Sequence, residues 1–282
     1  MKRRHFKRAR ILCNIFATLV GILAAVVLSG VLYIIFGKMI HVNQKKESVS
    51  ETTTVEVETT AVAQAEENTT IYEEADDGVS IPDTGDVEGN YFDNTVFLGD
   101  SRTVALAAFD LIPQANTFAE NGIAHTTFME KQWTDTISGT VGDIFSIVSA
   151  RQPERIYVAL GVNGVGYMDS ETFTTTYTAM VQRLVANAPN SILVLEAILP
   201  VNESLIASED GVSNEQIGEY NSEIKKIAKK VNAWYLDPSE AVADETGNIA
   251  AEFDNGDGLH FNEAGCHAIY DYMSTHGVYE KN

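Results

Sequence analysis

Residues 91–282 predict an α/β domain built on a doubly wound, mainly parallel sheet. Two observations carry this. Short apolar runs of strand type alternate with segments of helical period, the pattern of parallel βαβ units. One run, ILVLEAI at 192–198, is apolar at nearly every position, as a strand covered on both faces must be.

In chain order, residues 1–10 (MKRRHFKRAR) are strongly basic, and an uncharged apolar run follows over 11–36. As a helix this run covers roughly 39 Å, enough to cross a hydrocarbon core of about 30 Å with tilt. It is too long for the apolar part of a cleavable signal peptide and lacks the small-residue cleavage site. The basic flank predicts a cytoplasmic N-terminus. The expectation is a cytoplasmic tail (1–10), one transmembrane helix acting as a signal-anchor (11–36), and an extracellular body.

Residues 37–90 differ in kind. They are rich in Thr, Glu, Val and Ala, and from Glu47 to Glu88 there are thirteen acids and no base. So little apolar surface cannot offset the entropy of ordering the chain, which predicts a disordered acidic stalk. Beyond it, strands are expected at 96–98, 156–160, 192–198 and 234–236, with a weaker one near 116–118. Helices are expected at 103–109, 141–150, 172–187, 214–231 and 262–275.

Charge and cysteine usage narrow the function. Residues 1–46 hold nine of the 19 Lys and Arg residues, so the rest of the chain sets ten bases against all 40 acids. That excludes nucleic acid, whose phosphates need clustered Lys and Arg. It suits neutral or cationic substrates. Cys13 and Cys266 are too far apart in sequence and setting to suggest a zinc site or a disulfide framework.

The most informative stretch is Val96-Phe97-Leu98-Gly99-Asp100-Ser101-Arg102, where a strand pattern stops at a polar turn and a helix pattern begins. Ligands bind at the carboxyl ends of strands in this architecture. A helix N-terminus there favours negative charge, so Ser101 could serve as a nucleophile. N-capping by Asp100 or Ser101 is the competing reading. A second Gly-rich turn, Gly161-Val162-Asn163-Gly164, follows the 156–160 strand at the same sheet edge.

A serine nucleophile needs a base, and of the six histidines His260 stands apart. It lies in the polar loop before the last helix, three residues after Asp257, so one turn can bring the carboxylate to a ring nitrogen. His125 follows the second strand region without a neighbouring carboxylate. A metal set of Asp254, Asp257, His260, Glu263 and His267 lacks a recognisable ligand spacing.

Taken together these residues resemble the SGNH (GDSL-type) hydrolases over roughly residues 93–277. Gly99-Asp100-Ser101 is similar to the nucleophile block, with Arg102 where many members carry Leu. Gly122 resembles the glycine of the second block, with Gly139 and Gly142 as rivals. Gly161-Val162-Asn163 resembles the third block, although Gly164 replaces its usual Asp. Asp257-Gly258-Leu259-His260 resembles the last. The resemblance implies a three-layer α/β/α, flavodoxin-like fold over 91–282 and a Ser101–His260–Asp257 triad. It also implies an oxyanion hole made by Ser101, Gly122 and Asn163, with no cofactor and no metal. The expected reaction is ester hydrolysis at the cell surface, removing O-acetyl groups from cell-wall or other carbohydrate, including peptidoglycan. An O-acetyltransferase, a lysophospholipase or thioesterase, and a silent binding module are the alternatives. Arg102 is a candidate for binding an anionic sugar or lactyl carboxylate, against the alternative of a plain surface arginine.

Overall fold

In the computed structural model, residues 77–206 and 211–282 are described. In chain order the main elements begin with β1 (Thr95–Gly99), α1 (Ser101–Ala108), β2 (Thr117–Ala119), α2 (His125–Glu130) and a short hairpin of β3 (Trp133–Thr134) and β4 (Val141–Gly142). They continue with α3 (Ile144–Arg151), β5 (Arg155–Ala159), α4 (Val162–Val165), α5 (Ser170–Asn187) and β6 (Ile192–Glu196). The chain closes with α6 (Asn214–Val231), β7 (Trp234–Leu236), α7 (Ser239–Val242) and α8 (Glu263–Thr275).

The five-stranded sheet has the order β2-β1-β5-β6-β7, and every pairing in it is parallel. Alternation along the strands builds two cores, one on each face. Val96, Leu98, Ile156, Val158, Leu193 and Leu195 meet α3, α5 and α6 on one side. Phe97, Tyr157, Ile192 and Val194 meet α1 and α8 on the other. The three-layer expectation therefore holds. The strand order reverses between β1 and β5, and the crevice at such a reversal is where ligands bind.

Element ends follow local chemistry. The expected helix from 141 starts instead at Ile144, because Asp143 caps it by accepting the Ser146 N–H and Val141–Gly142 pair with β3. The 192–198 strand pairs only to Glu196; beyond it the Asn221 side chain binds both the N–H and the carbonyl of Ile198.

The expected stalk is too long at its C-terminal end. The Tyr235 N–H donates to the Val79 carbonyl, and the Ile81 N–H to the Tyr235 carbonyl, so 79–81 lines the open edge of β7. Val79 and Ile81 are buried, and Thr84 and Val87 bond the end of α8. An exposed strand edge offers unpaired backbone groups, and two alternating apolar residues suffice to occupy it within an otherwise acidic run. The folded domain thus begins near residue 79 rather than 91. The expected tail, the membrane span at 11–36 and the stalk up to residue 76 lie outside the described residues. Among the described residues no helix is long and apolar enough to cross a membrane.

Candidate active site

The corner after β1 is built by three consecutive residues. Gly99 has no room for a side chain, since a Cβ there would run into Thr103 Oγ1. Asp100 is the N-cap of α1, its buried carboxylate accepting the Arg102 N–H at 3.0 Å. Capping is therefore the work of Asp100, and Ser101 stands in the first turn with its hydroxyl free for another partner.

That partner is His260, whose Nε2 lies 2.9 Å from Ser101 Oγ. Its Nδ1 lies 2.7 Å from Asp257 Oδ2. The second oxygen of Asp257 accepts the N–H groups of Leu259 and His260, closing the turn on which the histidine sits. Gly258 makes this turn feasible: its φ is +76°, and a Cβ would come within 2.8 Å of the Asn202 carbonyl. Partial burial works to raise the Asp257 carboxyl, but the His260 backbone and ring and the Leu259 N–H hold it below the ordinary value. An ionised carboxylate can only accept, so Nδ1 carries the ring proton and Nε2 accepts from the serine. This arrangement can deprotonate Ser101 and hold the resulting imidazolium.

Two loops meet the serine across the crevice. Gly122, at a φ of +74°, and Asn163, in α4, share with Ser101 and His260 the lining of an open cleft of about 550 Å³. Gly139 lies in the β3–β4 turn and Gly142 in β4; neither lines the cleft. Asn163 Nδ2 donates to the Ile123 carbonyl at 3.1 Å. That bond ties the two loops together and steadies the amide without the aspartate that Gly164 replaces.

Arg102 does not have the role expected of it. It is buried, and its guanidinium donates to the carbonyls of Leu199, Pro200 and Leu259 while lying over the Phe261 ring. It fastens the segment after β6 to the loop carrying His260, and it does not line the Ser101 cleft. The reason is geometric: a first-turn side chain on this corner points across the sheet edge, where the carbonyls of Leu199, Pro200 and Leu259 converge on it.

Glu196, at the end of β6, escaped the sequence reading because it interrupts an otherwise apolar run. It is buried beneath α1 beside Asp100 and Arg102. Burial, with Asp100 and Asp237 nearby, pushes its carboxyl up to about 8 against the pull of Arg102. Burial lowers Arg102 to about 10, opposed by Asp100 and Glu196, so it stays charged at neutral pH. A carboxyl with an ordinary value of 4.5 loses its proton near that pH when unfolded but keeps it to about 8 when folded. The folded state then binds more protons across that window, so this contribution is fully present below about pH 4.5 and declines as pH rises toward 8. Glu196→Gln, neutral throughout, should reduce the fall in Tm between pH 5 and 8. An unchanged fall by scanning calorimetry would remove Glu196 as its origin.

The chain is similar to known proteins in sequence and in fold. The model of the GDSL-like Lipase/Acylhydrolase family matches residues 97–268. No curated protein sequence matches the chain. Among solved structures, a Streptococcus pneumonia protein provisionally described as a platelet activating factor is 21% identical, with a TM-score of 0.51, covering 64% of this chain and 81% of that one. A GDSL-like lipase from Bacteroides thetaiotaomicron is 18% identical, with a TM-score of 0.47 and coverage of 64% and 84%. A carbohydrate esterase family 3 protein from Talaromyces cellulolyticus is 16% identical, with a TM-score of 0.45 and coverage of 64% and 93%. At such identities the first of these speaks for the fold alone.

Proposed function

This chain belongs to the GDSL-like lipase/acylhydrolase family as a serine esterase, and from that premise we propose that it removes short acyl groups, acetyl above all, from uncharged carbohydrate outside the cell. His260 Nε2 takes the Ser101 proton as Oγ attacks the ester carbonyl. Asp257 holds the imidazole in its tautomer. The oxyanion is bound by the N–H groups of Ser101 and Gly122 and by the Asn163 amide. The sugar hydroxyl leaves with the proton from His260, and water then releases the acyl group by the same base.

The observation that carries the substrate class is the charge of the cleft. Among the described residues lining the Ser101 cleft and the adjoining hollow of about 490 Å³ beyond Asn163, Asp257 and Glu263 are acidic and none is Lys or Arg. A phosphate headgroup or a uronic or lactyl carboxylate would meet repulsion there with no cation to bind it. That disfavours the lysophospholipase reading and narrows the carbohydrate to a neutral one. The His260 and Asp257 side chains are 35% and 48% exposed. Water can therefore reach the acyl-enzyme, which favours hydrolysis over acyl transfer. The basic N-terminus and the 11–36 run support a membrane anchor with the N-terminus cytoplasmic and the esterase domain extracellular.

The test is hydrolysis by the full-length chain. p-Nitrophenyl acetate should be turned over at least about tenfold faster than the octanoate, the size of step that discrimination by acyl length supplies. Acetate should be released from acetylated xylan. Faster octanoate turnover, or release of fatty acid from lysophosphatidylcholine in preference to acetate from xylan, would overturn the substrate class.

A further inference from the structure

His125 is a buried titratable group that the chemistry above does not use. It opens α2, two residues after Ile123, whose carbonyl accepts the Asn163 amide, and three after Gly122. The ring is fully buried, with Nε2 2.7 Å from Thr176 Oγ1 in α5. The Thr176 hydroxyl also lies 2.7 Å from the Thr172 carbonyl, which can only accept. Its one proton goes there, so Thr176 accepts from the histidine and Nε2 carries the ring proton. Nδ1 is left as a bare acceptor with no hydrogen-bond partner. Burial holds the ring down at about 4, neutral at physiological pH.

The imidazole also supports the second loop. A Cβ added to Gly164 would meet Met168 Sδ at 3.4 Å and Cε at 3.7 Å, with His125 Cε1 at 3.8 Å, so the ring lies with Met168 beside the turn that carries Asn163. Phe173 and Tyr177 pack across it, their ring centroids 5.0 and 5.4 Å away. An unpartnered buried nitrogen costs stability, and phenylalanine would fill this place without that cost. What phenylalanine cannot supply is the N–H to α5.

We infer that His125 is a positioning residue: it braces the loops bearing Gly122 and Asn163 against α5, setting the separation of the two oxyanion donors. The inference rests on the serine-esterase reading of the site. Chain continuity links the ring to Gly122, proximity sets it beside the Gly164 turn, and one hydrogen bond fixes it to a long helix.

The test uses the full-length chain and p-nitrophenyl acetate. His125→Phe should lower kcat about tenfold or more, as small misplacements of catalytic groups do, with KM within about twofold. Tm should be unchanged or higher. Thr176→Val, which keeps the imidazole and removes its acceptor, should lower kcat in the same direction. His125→Gln, whose amide can donate to Thr176, should recover part of the loss. Adding His125→Phe to Asn163→Ala should cost less than His125→Phe alone, because one of the groups it positions is already gone. A kcat within about twofold of wild type in both His125→Phe and Thr176→Val overturns the proposal, as does full additivity with Asn163→Ala. If His125→Phe does not fold, Thr176→Val decides. Failure of the esterase reading shows instead as retained activity in Ser101→Ala.

Discussion

Ser101→Ala should lower p-nitrophenyl acetate turnover on the order of 10⁴-fold or more while leaving Tm within about 2 °C of wild type. The size follows from the mechanism: without Oγ no acyl-enzyme forms, and what remains is water attack assisted by the oxyanion donors. The small effect on stability follows from the surroundings. The Ser101 hydroxyl bonds the partly exposed His260 ring, and α1 is capped by Asp100, so the fold does not depend on it. Steady-state kinetics with a thermal melt checks both halves, and a fluorophosphonate should label the wild-type chain at Ser101 alone. Turnover within tenfold of wild type would remove Ser101 as the nucleophile.

Asn163→Ala should lower kcat about 10²–10³-fold with little change in KM, the mark of a group that binds the transition state more tightly than the ground state. Part of that loss comes from the amide itself. Part comes from the broken tether to the Ile123 carbonyl, which frees the Gly122 loop from α4. Asn163→Asp should fall further, because a carboxylate there faces both the Ile123 carbonyl and the developing oxyanion. Measured kcat and KM separate these outcomes from the uniform-binding case, in which KM alone rises.

The readings that came true are those whose causes are local. The apolar runs of β1 and β5 between segments of helical period, and the nearly all-apolar run of β6, announced a sheet covered on both faces. The α6 helix was legible from its periodicity, which matches Asn214–Val231 end to end. The Asp257–His260 pairing was legible because three residues and one turn suffice to join them. Readings that failed have non-local causes. Val79 and Ile81 look like part of an acidic stalk until β7 offers them an edge. Arg102 reads as a substrate ligand until the carbonyls of Leu199, Pro200 and Leu259, distant in sequence, converge on it. Glu196 gave no signal, since one polar residue within an apolar run looks the same whether it is a lapse or a fixture, and His125 was legible only as a histidine without a neighbouring carboxylate.

The sequence by itself determined the layer architecture, the corner that presents Ser101 and the turn that presents His260, because backbone periodicity, glycine and capping act over a few residues. Only the tertiary structure decided that these two meet, that Gly122 rather than Gly139 or Gly142 lines the cleft of the serine, and that the described lining of the cleft and its adjoining hollow holds Asp257 and Glu263 but no Lys or Arg. Those outcomes depend on which loops the parallel sheet gathers at one edge, and that is set by packing between residues far apart in sequence, 40 positions for Ile123 and Asn163 and 159 for Ser101 and His260.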